Sequence, residues 1–489
     1  MIGNSVPEYI FIRTCIAGLR LVAPLSFVYT LASWREGRFL CSPWVGAYAL
    51  VEACFYLFVY LPRSFLLQKA ATHPPPLSRK EREALFEKCF GYIAKMNMAT
   101  GWFFGGDASL IKRENMREWL LWALFGCNRD SARPEWDDEI EGYLAMLENY
   151  MGKPLEGGWS EVARCMRLTL DPVVMLHRPL VWYAIVGLVD TVTCVRLALA
   201  GFTHRDTRNP FSSFPFRLWS LFSQRTPEPS LAYWYRPHRS KTKLPVVFLH
   251  GIGIGLWPYV TFFRELAAQD PDVGIIAIEN LSISMRISPP PLRRAHMLAA
   301  LTTVLRHHNI STFVLAAHSY GTVLSAHVLR DAALSQRVAA TLLIDPIPFL
   351  LYLPPVAYNF VYREPRAASE WQLWYLASRD PDIARALSRH FFWTENVLWK
   401  EDLEGRETAV VLCGEDQIVD SREVMAYLTG SEDLSLRWKK DGLEVLYFPG
   451  LDHSNQFYHE ECRRPMIEVL SRFVNNGLTV EELSKSKES

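Results

Sequence analysis

Six short apolar runs, at residues 246–249, 274–278, 312–316, 341–344, 409–412 and 444–448, recur through the second half of the chain with helical segments between them. Runs this short, and this rich in aliphatic and β-branched residues, are what strands buried on both faces look like. Strands of that kind alternating with helices require a mostly parallel sheet with helices packed on both sides. The alternation begins near residue 230, and 489 residues exceed one ordinary core, so two parts are expected: an N-terminal helical region, 1–230, and an α/β domain, 231–489.

The first part is apolar in a different way. Three stretches stand out, at 7–34, 44–62 and 179–195. In the first, Arg13 and Arg20 precede 14 uncharged residues, 21–34, which is short for a full span. The second contains only Glu52 and the third only Asp190 as a charge, and each is followed by an arginine, Arg63 or Arg196. An acid at a helix centre costs about 2.5–3.5 kcal/mol on insertion scales unless it faces protein. These stretches predict membrane association, by crossing or by shallow, hairpin-like insertion. Thr30-Leu31-Ala32 also allows a signal-peptide reading of the first stretch, and a helix bundle buried against the second part is the soluble alternative. Trp119 to Phe125 reads as helical core, and 203–237, rich in Pro, Ser, Phe and Arg, reads as a connector.

Charge narrows the partners. Lys+Arg and Asp+Glu both total 52, so no positive excess exists to neutralise phosphates, and nucleic acid is not expected. Hydrophobic residues make up 49% of the chain, concentrated before residue 230, which points to lipid. The nine cysteines form no CxxC pair and no dense framework, as expected of thiols in a reducing compartment.

The chemistry concentrates in Ala317-His318-Ser319-Tyr320-Gly321, which follows an apolar run and precedes a helix-compatible one. A serine hydroxyl is a weak nucleophile, so it must be projected from the backbone, with room for a base and amide donors beside it. A sharp strand-to-helix turn does this and needs small neighbours, although Ala317 stands where glycine is usual in GxSxG. Sixty-nine residues before the serine, His250-Gly251-Ile252-Gly253-Ile254-Gly255 ends another candidate strand. A dinucleotide-binding GxGxxG fails here, because Leu256 occupies the third glycine position. His250 reads as structural.

Together these segments resemble the α/β-hydrolase superfamily over about residues 231–475. The resemblance implies an oxyanion hole formed by the amides of Ile252 and Tyr320, and a triad completed after the last two strands. Gly414-Glu415-Asp416-Gln417-Ile418-Val419 matches the family's acid loop, with Asp416 as the acid and Glu415, Asp420 and Asp345 as alternatives. Pro449-Gly450-Leu451-Asp452-His453 matches its base loop, with His453 as the base and His459 as the alternative. The order Ser319, Asp416, His453 is the family's order. No metal or cofactor is implied, and the sequence contains no HExxH or Walker pattern and no zinc-spaced Cys/His set.

Residues 346–407, dense in Trp, Tyr and Phe, stand where the family carries a cap. The expected activity is therefore serine-dependent cleavage of carboxylic esters, hydrophobic acyl or lipid esters above all, at an endomembrane or lipid-droplet surface. A thioesterase or acyltransferase using the same triad, or a noncatalytic membrane scaffold that keeps the fold, are the alternatives.

Overall fold

The structure, a computed structural model, describes residues 2–95 and 98–475. Its ten strands are β1 Thr203–Asp206, β2 Gln224–Arg225, β3 Ala232–Arg236, β4 Val246–Leu249, β5 Ile275–Glu279, β6 Phe313–His318, β7 Val338–Ile344, β8 Glu407–Cys413, β9 Arg437–Lys440 and β10 Leu443–Phe448. They form one sheet in the order β2-β1-β3-β5-β4-β6-β7-β8-β10-β9. The six central strands, β5 to β10 in that order, are parallel, while β3 and β9 join antiparallel at either end. Each expected strand is present to within three residues at its ends. The stretch read as a connector, 203–237, is not one: it supplies β1, β2 and β3, short strands that extend one end of the sheet and whose mixed polar composition hid them.

Alternation along the strands divides the core in two. Val247, Leu249, Ile276, Ile278, Leu315, Ala317, Val410 and Leu412 face one side, together with the cap and the N-terminal helices. Val246, Phe248, Ile275, Ala277, Val314, Ala316, Ala409 and Val411 face the other, against helices Val260–Gln269 and Glu460–Asn475. Because chain order reverses around β4, loops from the carboxyl ends of β4, β6, β7, β8 and β10 converge at one place, as is general in open α/β sheets.

Helices Val6–Glu36, Pro43–Leu66 and Leu180–Leu199 are long and apolar enough to cross a membrane. The first is twice as long as its uncharged run. A Ser5–Glu8 capping box starts it, and Gly37, in the left-handed region at φ 65°, ends it. The acids of the second and third helices, Glu52 and Asp190, do face protein. Glu52 is buried and accepts hydrogen bonds from His177 Nε2 (2.8 Å), Tyr48 OH (3.2 Å) and the Leu180 amide (2.8 Å), which also caps the third helix. Asp190 pairs with Arg286 (2.9 Å) and Arg217 (3.3 Å). The three helices are not a buried bundle, since only 17, 22 and 33% of their most apolar windows are buried.

The rest of the N-terminal region packs on the cap. Trp102 donates to the Tyr352 carbonyl (3.2 Å) and Trp393 to the Ala123 carbonyl (2.8 Å). Arg63, near the end of the second helix, pairs with Asp382 (2.8 Å) on cap helix Pro381–His390. The Arg13 guanidinium lies 3.8 Å from the Trp371 ring.

Candidate active site

Ser319 has φ 52° and ψ −123°, a conformation that residues with a Cβ avoid and that persists only where the surroundings enforce it. Here β6 and helix Tyr320–Leu329 force the turn, and glycines let it pack. A Cβ on Gly321 would lie 2.1 Å from the Leu249 carbonyl oxygen, and one on Gly251 would lie 2.7 Å from Ser319 Cβ. Ala317, in the departing position, is wholly buried on β6, so the sheet accommodates its methyl.

The structure brings Ser319, His453 and Asp416 together. Ser319 Oγ is 2.8 Å from His453 Nε2, and His453 Nδ1 is 2.6 Å from Asp416 Oδ2. Asp416 is held in turn by the amides of Ile418 (2.8 Å) and Val419 (3.0 Å) on its other oxygen. This fixes the tautomer: Nδ1–H donates to the carboxylate, and Nε2 is free to accept the serine proton. The amides of Ile252 and Tyr320 make no hydrogen bond among the described residues, whereas the intervening Gly253 amide is bound to the Ile283 carbonyl (3.1 Å). Of the alternatives, Glu415 and Asp420 are exposed, and Asp420 caps helix Ser421–Thr429. His459 is exposed beside Glu461 (3.4 Å). His250 is buried and structural, its Nε2 accepting from the Asn280 amide (2.9 Å).

Asp345, after β7, stands behind the triad. One oxygen is 3.9 Å from His453 Nδ1 and accepts from the Ser454 amide and Gln456 Nε2, both at 2.8 Å. It also faces His318 Nε2 at 3.4 Å, while His318 Nδ1 is 2.7 Å from Tyr259 OH, which accepts from the Gly251 amide (3.1 Å). A polar chain thus joins the base loop to the glycine loop. Sequence reasoning missed His318 and Tyr259; His318, inside the elbow motif, was the available signal. The nitrogen and oxygen atoms of His318, Asp345 and His453 also lie within 4.8 Å of one another, close enough for a metal, but hydrogen bonds already engage all three residues.

Burial alone would lower the His453 imidazole, but the Asp416 carboxylate and its hydrogen bond, with Asp345 behind, raise it to about 9. Burial would raise Asp345, but the His318 imidazole facing it at 3.4 Å and the charge of His453 hold it at about 2. A base must be neutral to take a proton, so turnover should fall as pH drops through the His453 value. Asp345→Asn removes one of the charges that favours the imidazolium. Its acid limb in a kcat/KM–pH profile is expected to move to lower pH, and an unmoved or raised limb would show that Asp345 does not act on His453.

Above Ser319 lies a narrow apolar pocket walled by Trp102, Trp122, Leu351, Phe360, Leu387 and Phe391. Two of these walls come from the N-terminal region. Trp122, which reads from sequence as core, is both buried and a wall of this pocket.

A parallel-centred sheet with a strained serine elbow and a histidine and acid on later loops defines an α/β hydrolase. The alpha/beta hydrolase family model matches residues 246–469, and the fold of this part of the chain is the α/β-hydrolase fold. No curated protein sequence matches the chain. Among solved structures, it is similar to a bacterial membrane phospholipase A (15% identity, 61% of this chain and 94% of that one, TM-score 0.37). It is also similar to a carboxylesterase of Nitrososphaera gargenis (14%, 50% and 96%, TM-score 0.36) and an esterase of Thermogutta terrifontis (14%, 50% and 94%, TM-score 0.36).

Proposed function

We propose that the protein is a serine hydrolase that cleaves hydrophobic acyl esters of lipids at a membrane or lipid-droplet surface. The observation that carries the reading is the continuous Ser319–His453–Asp416 hydrogen-bonded line at the floor of an apolar pocket. His453 takes the Ser319 proton as Oγ attacks the ester carbonyl carbon, and the oxyanion forms against the amides of Ile252 and Tyr320. The C–O bond then breaks, the alcohol leaves with the proton from His453, and water repeats the sequence to release the acid.

The setting supports a lipid ester. The wall of Trp, Leu and Phe takes an alkyl chain, not a charged group, and excludes water from the reacting bond. On the other side of Tyr320 lies a roomier cavity of about 420 Å³ whose lining includes Ser282, His327, His390 and Asn396, a place for the polar part of an amphipathic substrate. Three largely exposed apolar helices supply the membrane half of the reading.

Comparing esters of increasing acyl length, short ones in solution and long ones in mixed micelles, tests this. Turnover is expected to rise with chain length, and Trp122→Ala to lower kcat/KM for long-chain esters by about tenfold or more while short esters change less. Hydrolysis confined to short soluble esters would overturn the lipid assignment.

A further inference from the structure

Helix Leu180–Leu199 presents two opposite faces, both apolar. Inward, Val186, Cys194 and Leu197 are buried against the α/β domain. Outward, Val181, Ile185, Leu188, Val192, Val195 and Leu199 are exposed, spaced alternately four and three residues apart. That spacing makes one continuous stripe, about 27 Å long at 1.5 Å per residue. A helix on a soluble surface carries polar residues on its outer face; here the exposed polar residue beside the stripe is Thr191, whose hydroxyl donates back to the Gly187 carbonyl (2.8 Å).

The 211–222 loop continues the same surface. Phe211, Leu218 and Phe222 are 70, 67 and 80% exposed, and a contiguous apolar patch of this kind marks an interaction surface. The loop is fastened to the helix through its inner residues. Phe214 packs edge-on against Tyr183, ring centroids 5.1 Å apart, and a Cβ on Gly187 would lie 3.3 Å from Pro215.

The charges around this face have one sign. Between residues 181 and 225 the acids are Asp190 and Asp206, and both are occupied inward, Asp190 by Arg217 and Arg286 and Asp206 by Ser220 (2.6 Å). Arg208 and Arg225 are exposed and form no ion pair among the described residues. An apolar face with exposed arginines beside it complements anionic lipid headgroups over acyl chains.

The helix is anchored too firmly to the sheet to stand upright in a bilayer. At its middle, Asp190 binds Arg217, which pairs with Glu279 at the end of β5 (2.8 Å). Nearer its end, Arg196 donates to Thr261 (3.3 Å) and lies 4.9 Å over the Trp257 ring. Placing that midpoint at the bilayer centre would carry β1, whose His204 also bonds Glu279 (2.8 Å), and the open edge strand β2 beside it into hydrocarbon, where the unpaired backbone groups of β2 find no partner.

We propose that the outer stripe of helix Leu180–Leu199 and the 211–222 loop form one docking face that seats the α/β domain in a single leaflet of an anionic phospholipid bilayer, the helix lying in the membrane plane. This deepens the membrane half of the function proposed above and does not depend on the serine chemistry.

Depth measurements on the full chain test it. With the exposed Cys15, Cys41 and Cys54 changed to serine, single substitutions Val181→Cys, Leu188→Cys, Leu199→Cys and Phe222→Cys carry an environment-sensitive fluorophore. The proteins are bound to vesicles of phosphatidylcholine and phosphatidylserine containing quenchers at known acyl depths, and thermal melting of each variant confirms that it is folded. All four sites are expected to be quenched most by the shallow quencher, at similar depth. Deep quenching at Leu188 with shallow ends would mean a crossing helix, and no quenching at any site would mean a face outside lipid; either overturns the proposal. Equal quenching on pure phosphatidylcholine would overturn the role given to the arginines. Hydrolysis of a short soluble ester, measured alongside, reports separately on the serine reading.

Discussion

Ser319→Ala is expected to slow ester hydrolysis by on the order of 10⁵-fold, with the protein still folded. The magnitude follows from the site's connectivity. Ser319 Oγ makes its one side-chain hydrogen bond to His453, so the methyl removes the attacking atom and little structure. His453→Ala should cost a similar factor, and the double variant little more, because a nucleophile without its base and a base without its nucleophile fail at the same step. Additive losses in the double variant would mean that the two residues act separately, which contradicts a shared proton transfer. The residual rate should come from the amide donors, which neither change touches.

Gly321→Ala has the largest expected effect on stability. The new Cβ would meet the Leu249 carbonyl oxygen at 2.1 Å and its carbon at 2.6 Å, far inside contact distance. Those are backbone atoms of β4, pinned on one side by pairing with Ile278 and on the other with Ala317, so no side chain can swing away to make room. Relief requires displacing the elbow from the strand, and we expect a loss of roughly 3–5 kcal/mol, read as a much lower melting temperature or failure to fold. Gly142→Ala is the control: nothing lies within 4 Å of its methyl on helix Asp137–Met151, and alanine there should be neutral or slightly stabilising. Equal melting of the two variants would show that Gly321 is not sterically required.

The two glycine results bear on how the sequence encodes the site. The parallel strands were legible because burial on both faces leaves an unmistakable run of aliphatic residues, and the residues now brought together at Ser319, Asp416 and His453 lie where such runs end. The short strands β1 to β3 at one end of the sheet were not legible. A strand such as Thr203–Asp206 carries polar residues held by specific partners, His204 by Ser223 (2.6 Å) and Glu279 (2.8 Å), and so has no hydrophobic period to read. The first stretch, 7–34, matches helix Val6–Glu36 to within two residues, but its 14-residue uncharged run understates the length available for a span, because Arg20, although exposed, does not interrupt the helix. Nor could sequence show that Trp102 and Trp122 would reach a pocket beside a serine some 200 residues away, since that proximity comes from packing of the N-terminal region on the cap.

The His318–Tyr259–Gly251 chain was hidden for a related reason. Each link is a buried polar contact between loops distant in sequence, and no local pattern records such a contact. Its arrangement explains why Asp345 is buried and charged without being the residue that bonds His453 most closely. Two carboxylates on one imidazole would compete, and the geometry resolves this by placing Asp416 at 2.6 Å and Asp345 at 3.9 Å.

The most direct test of the central claim is mass spectrometry of the membrane-bound protein after reaction with a fluorophosphonate, which bonds covalently to activated serines. A single adduct on the peptide containing Ser319, absent from Ser319→Ala and much slower to form in His453→Ala, is the predicted result. An unmodified Ser319 in folded wild-type protein, or an adduct on another serine, would contradict it.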